Sequence, residues 1–118
     1  MFKVIALLTR KPGISREAFI EYYETRHVPL IRSLFPDIAD YRRNYVDLTG
    51  AIIADGTAAP DFDSVTELWF PDRKGYDAMI KAHFETDAGE RVAKDEENFL
   101  DRSKTRFFIV EETGAPAR

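Results

Sequence analysis

The stretch Phe2-Lys3-Val4-Ile5-Ala6-Leu7-Leu8-Thr9 decides the fold, because it is apolar on both of the faces that a strand presents. Successive side chains of a strand point to opposite sides, so Phe2, Val4, Ala6 and Leu8 share one face and Ile5 and Leu7 the other. Lys11-Pro12-Gly13 is a strong turn signal that ends the strand. Ser15 then offers a side-chain oxygen for a helix N-cap, and Phe19, Tyr22, Tyr23, His27, Leu30 and Ile31 follow at spacings of three and four. Pro29 interrupts this amphipathic stripe, since proline has no N–H to give and pushes Val28 away from the α region. A break or kink is expected close to His27.

Further along, Ile38 to Leu48 reads as an edge strand with Tyr41, Arg43 and Tyr45 on one side, and Thr49 to Pro60 as a long polar hairpin loop from which Ile52 and Ile53 fold back onto the body. Phe62 to Phe70 is a third strand, with Val65, Glu67 and Trp69 opposite Thr66, Leu68 and Phe70. Tyr76, Met79, Ile80, His83 and Phe84 form a second helical stripe. Asp87 and Glu90 have capping-box spacing ahead of a third helical piece carrying Val92, Phe99 and Leu100. Thr105 to Glu111 alternates as the last strand, Phe107 and Ile109 opposite Phe108 and Val110. The order βαββαβ is the ferredoxin-like α+β arrangement, with strands one and three central and helices on one face of an antiparallel sheet.

That arrangement has a consequence for assembly. Helices on one side leave the second face of an antiparallel sheet to water, and in a monomer it should be polar. Here strands one, three and four are apolar on both sides. Left open, the second face would be an apolar patch of roughly several hundred Å², unusual for a soluble monomer. A two-fold, sheet-to-sheet homodimer is the expected remedy.

The bulk composition narrows function. A chain of 118 residues is expected to be one domain, here residues 1–112 followed by a flexible C-terminal tail, residues 113–118. Seventeen Lys and Arg are scattered among 21 Asp and Glu, for a net charge of −4, so no basic stripe matches nucleic acid. With no cysteine there is neither disulfide nor thiolate chemistry. The apolar run Val4 to Leu8 is too short for a signal-peptide core or a membrane span. A cytoplasmic protein without membrane contact is expected.

Both histidines lie on apolar helical stripes. At His27 burial lowers the pKa while the negative end of a helix stopped by Pro29 raises it, an opposition that suits a general acid or base. The alternative is a structural histidine bonded to carbonyls freed by the proline. His83 reads as a packing residue with a wet edge. Tyr41 and Tyr23 are the phenols nearest His27 in this layout and could bind or polarise an oxygen-rich ligand. Glu67, on a face with Val65 and Trp69, must find a partner, for which Arg43 or another strand arginine is available, or hold a raised pKa. No Gly-rich phosphate loop, metal-spaced cluster or nucleophile elbow occurs. Neither a metal nor another cofactor is expected, and a haem role would need an axial ligand for which only His83 offers itself.

The segments Lys11-Pro12-Gly13-Ile14-Ser15-Arg16-Glu17-Ala18-Phe19, Tyr22-Tyr23, His27-Val28-Pro29-Leu30, Pro60-Asp61-Phe62-Asp63, Glu67-Leu68-Trp69-Phe70, and Asp95-Glu96 followed by Phe99 stand together in this order. Jointly they resemble the EthD family of the dimeric α/β-barrel superfamily. The resemblance implies two subunits meeting through their sheets and a cavity in each between sheet and helices. It also implies a cofactor-free enzyme moving a proton on a small cyclic or aromatic oxygenated compound, by dehydration, isomerisation or cyclisation. His27 would be the general acid or base and Tyr41 would donate to or orient a carbonyl or hydroxyl oxygen. Tyr23, Trp69 and Glu67 would contact the substrate, a small hydrophobic oxygenated ligand. The rival readings are a non-catalytic binding or accessory protein for an oxygenase system, and a cofactor-independent monooxygenase.

Overall fold

The opening stretch forms β1, Phe2–Leu8, in a computed structural model that describes residues 1–114. Three more strands complete the sheet: β2, Asp40–Tyr45; β3, Ser64–Phe70; and β4, Arg106–Val110. Every pairing is antiparallel and the order is β2-β3-β1-β4, so β1 and β3 are central as their double-sided apolarity requires. The expected βαββαβ order holds. The tail expected over residues 113–118 lies, past Gly114, outside the described residues.

Of the break or kink expected close to His27, the chain shows no break but a local irregularity, a π-helical turn that ends at His27. Helix α1, Arg16–Tyr22, is capped by the Ser15 side chain, which accepts from the Ala18 N–H, and it runs on through a π-helical turn, Tyr23–His27, into α2, Val28–Leu34. A proline inside a regular α-helix clashes with the carbonyl one turn back. The wider π turn accommodates the bend instead, with the Val28 N–H reaching the Tyr23 carbonyl, and Pro29 falls in the first turn of α2, where a missing N–H costs nothing.

Helix α3, Arg73–Glu85, is capped by Asp72, and α4, Ala88–Glu96, follows after a tight corner. The capping box expected at Asp87 does not form, since its side chain makes no cap bond and Thr86 Oγ1 accepts from the Ala88 N–H instead. Phe99 and Leu100 lie past the end of α4 and are drawn into the core by backbone pairing. The Lys11 N–H donates to the Phe99 carbonyl at 2.8 Å and the Asp101 N–H to the Thr9 carbonyl at 2.8 Å. Ile52 is 99% exposed, so the loop between β2 and β3 does not fold back there as expected.

The two sheet faces differ sharply. Under the helices lie Val4, Ala6 and Leu8 of β1 and Ser64, Thr66, Leu68 and Phe70 of β3, all buried, with Phe19, Tyr23 and Phe99 packed above them. Each fully buried Phe contributes about 1.5–3 kcal/mol. No helix among the described residues covers the outer face. There the register sets Arg42, Glu67, Ile5 and Phe108 in one row across the four strands, beside a second row of Asn44, Val65, Leu7 and Arg106. This face is therefore more charged than the apolar pattern of β1 alone implies.

Candidate functional site

Between the sheet and the helices is a cavity of about 310 Å³. The π turn places Tyr23 and His27 in its lining, β2 places Tyr41 and β3 Thr66. Apolar walls come from Ile31, Phe35, Leu68 and Met79. A larger hollow, of about 510 Å³, lies among the loops at the far end of β1, but it holds no histidine or tyrosine, and Arg10 and Arg16 within it are engaged by Asp63 and by the Val46 carbonyl.

His27 is only 3% exposed. Its Nδ1 lies 2.8 Å from Asp95 Oδ2, and the other carboxylate oxygen accepts from the Tyr22 hydroxyl at 2.6 Å, which itself accepts from Asn98 Nδ2 at 2.9 Å. An ionised carboxylate can only accept, so the imidazole carries its proton on Nδ1 and presents Nε2 as a lone pair. No protein group among the described residues bonds Nε2. The ring is held edge-on to Tyr23 and against Phe99, with centroids 5.4 Å and 4.8 Å away. Burial pushes its pKa below the ordinary value of 6.5, opposed by the Asp95 carboxylate. The expected contribution of a helix C-terminus is absent because the helix does not end there.

The tyrosines form a buried line of hydroxyls. Tyr41 donates to the Tyr23 oxygen at 3.0 Å, Tyr23 and Thr66 share a bond of 2.8 Å, and Thr66 and Ser64 one of 3.0 Å. Burial pushes the Tyr23 phenol up to about 12 and that of Tyr41 well above its usual range, so both are un-ionised at neutral pH. They act as neutral hydrogen-bonding groups. With the Tyr41 proton directed at Tyr23, Tyr41 meets a ligand as an acceptor, or as a donor once its hydroxyl turns. Its ring is flanked by the guanidinium of Arg43 at 4.8 Å, and Arg43 is locked by a two-pronged pair with Glu24 at 2.6 and 2.9 Å. That pair holds the Glu24 carboxyl below its ordinary range.

Trp69 and Glu67, expected to contact the substrate, stand apart from the cavity. Both point to the outer face of the sheet and neither lines the cavity. Glu67 pairs with Lys3, at 3.4 Å, and not with Arg43, which faces the helices; the Lys3 ammonium also sits 4.4 Å over the Trp69 ring. The alternation along β3 sets this division, because Thr66 and Leu68 occupy the cavity side.

Three further groups belong to the site. Asp95 fixes His27 across 68 positions of sequence. Glu96, the next residue, lines the cavity and pairs with Arg102 at 3.3 Å; burial holds its carboxyl above the ordinary range, opposed by the Arg102 guanidinium. A signal for Glu96 was available, since Ala88, Val92 and Glu96 fall at successive i, i+4 positions and the first two are buried. His83 also lines the cavity, and the corner behind it is tight, since a Cβ at Gly89 would lie 2.4 Å from the His83 carbonyl oxygen. Among the described residues no group of three or more His, Asp or Glu side chains could hold a metal ion.

A ferredoxin-like α+β domain with a histidine-bearing cavity between sheet and helices is the class that fold and site define. The family model for the EthD domain matches residues 11–103, and the chain belongs to the EthD family. A comparison with curated protein sequences finds no match. Among solved structures, an EthD family protein of Bacillus halodurans C-125 superposes with a TM-score of 0.62 at 23% identity, covering 96% of this chain and 100% of that one. An EthD-like protein of Ralstonia eutropha JMP134 gives 0.68 at 21% identity, covering 98% and 95%. A dimeric ferredoxin-like protein of unknown function from Thermobifida fusca YX gives 0.52 at 14%, covering 92% and 88%. At these identities the likeness is one of fold. No helix among the described residues is long and apolar enough to cross a membrane.

Proposed function

We propose that this protein moves a proton on a small cyclic or aromatic oxygenated compound bound in the 310 Å³ cavity. The observation that carries this reading is the Asp95–His27 pair: a buried imidazole, neutral at pH 7, whose proton is directed at Asp95 and whose Nε2 lone pair is left for a ligand. Such a group accepts a proton and returns it without leaving the neutral range. Tyr41, its hydroxyl turned from Tyr23, hydrogen-bonds the ligand oxygen, Tyr23 lines the cavity beside it, and the apolar walls take the ligand's ring. Dehydration, isomerisation and cyclisation all share this proton abstraction, so the class of reaction is proton transfer.

Two copies are proposed to meet through their outer sheet faces. Support comes from Ile5, Leu7 and Val65, only partly buried with no helix above them, and from Phe108, 41% exposed beside them.

The test uses 2-tetralone, a bicyclic ketone with an acidic methylene beside its carbonyl. In D2O the native protein should speed loss of the C1 proton signal above the buffer rate. His27→Asn, whose amide keeps the bond to Asp95 but has nothing in place of Nε2, should lose the acceleration by about 10²–10⁴-fold. Tight binding of the ketone with no faster exchange would instead support the binding or accessory protein, and oxygen consumption the monooxygenase.

A further inference from the structure

The proton-transfer reading leaves the carboxyl of Glu96 in the cavity without a part. Glu96 stands at the end of α4, directly after the aspartate that orients His27, and its side chain is 17% exposed within a mostly apolar enclosure. Its one ion-pair partner among the described residues is Arg102, at 3.3 Å, whose own side chain is 49% exposed at the rim. A carboxylate held in such a place by a single long contact is poorly compensated for its lost hydration. Burial accordingly favours its neutral form, and a neutral carboxyl is a hydrogen-bond donor. Both tyrosines of the lining are pushed far upward and hold their protons more tightly, which leaves Glu96 as the carboxyl of the cavity.

We propose that Glu96 is a second catalytic residue, the acid that gives a proton to the ligand oxygen while His27 takes one from the neighbouring carbon. This rests on the proton-transfer reading of the same cavity and narrows its substrate class to compounds bearing a carbonyl, or a leaving hydroxyl, beside an acidic C–H. For a ketone the step balances as follows. His27 Nε2 takes the α proton, the C–H electron pair becomes the C=C bond, and the carbonyl π pair moves to oxygen. That oxygen takes the Glu96 proton, leaving an enol, an imidazolium and a carboxylate. For a β-hydroxy carbonyl the same C–H pair forms the double bond while the C–O bond breaks, and the hydroxyl leaves as water with the Glu96 proton. No oxidant or reductant enters either path, and solvent exchange restores both side chains.

The charged and titratable groups facing Glu96 are Tyr23 and His27 of the first helical segment, Tyr41 of β2, His83 of α3, Asp95 of α4 itself and Arg102 beyond it. Of these Arg102 lowers its proton affinity and Asp95 raises it.

The test is the pH profile of 2-tetralone exchange in the full chain. The native profile should be bell-shaped, rising as His27 loses its proton and falling as Glu96 loses its own. Glu96→Gln should lower the rate about 10²-fold and abolish the falling limb, with KM changed much less. Arg102→Met removes the ion pair but keeps the acid, so the falling limb should persist and move to higher pH. A Glu96→Gln profile with the native shape and rate overturns the assignment while His27 keeps its role. Equal loss of rate and limb in Arg102→Met and Glu96→Gln also overturns it, since the ion pair would then be what matters. Native protein no faster than buffer removes the proton-transfer reading itself, and this proposal with it.

Discussion

The two faces of the sheet carry different polar groups. Under the helices, Tyr41, Tyr23, Thr66 and Ser64 form a line of uncharged hydroxyls that satisfy one another, the first three bordering the cavity, with the Arg43–Glu24 pair beside them. On the outer face Lys3, Glu67 and Arg42 are charged, and Lys3 answers both Glu67 and Glu112. A neutral, mutually bonded network tolerates low dielectric and can exchange a partner with an entering ligand. Charges set among apolar neighbours tolerate it only when paired. On the proposed reading one face receives a small molecule and the other is covered by a second copy that respects its pairs.

The comparison breaks most visibly at His27. His27→Asn should cost about 10²–10⁴-fold in exchange rate while the melting temperature moves little, since the Asp95 bond is retained. Loss of folding together with activity would make the histidine structural. On the outer face, Ile5→Glu sets a carboxylate beside Glu67 in the same row and should leave native mass spectrometry reading a monomer where the unaltered chain reads a dimer. A native chain that stays monomeric at micromolar concentration contradicts the division between the faces.

Smaller effects sharpen the helix side. Gly89→Ala must displace the His83 carbonyl and should destabilise by about 1–3 kcal/mol, read as a lower melting temperature. Thr66→Val removes the partner that Tyr23 and Ser64 share and should cost about 1 kcal/mol in chemical denaturation. The pH dependence of stability is smallest. Because burial lowers the His27 pKa in the folded chain, the unfolded chain binds that proton more readily, so stability should fall as pH drops through 6.5 toward the folded value. That slope should vanish in His27→Asn.

The sequence pattern made the element order and the cavity residues of the first helix legible, because Phe19, Tyr23 and His27 recur at i+4 and β1 is a nearly unbroken apolar run of strand length. It could not say which face of β3 meets the helices, since Val65 and Trp69 are as apolar as Leu68 and Phe70; that is why Trp69 and Glu67 were expected at the cavity. The π turn was illegible for a related reason. A proline signals that the regular ladder fails, and does not say whether the chain breaks or widens by one residue. The Asp95–His27 bond was hidden by distance along the chain, and only the tertiary approach of α4 to the first helix creates it. Glu96 was the readable miss, a carboxylate standing on the buried stripe of Ala88 and Val92.

The claim on which the rest depends is that His27 stands neutral, with its proton on Nδ1 toward Asp95 and Nε2 open to the cavity. Long-range nitrogen-15 NMR of the imidazole through a pH titration, without and with 2-tetralone, measures this directly. The account predicts the Nδ1–H tautomer, a midpoint below 6.5 and a shift confined largely to Nε2 when the ketone binds. An Nε2–H tautomer, a midpoint at or above the ordinary value, or an Nε2 signal indifferent to the ketone would contradict it.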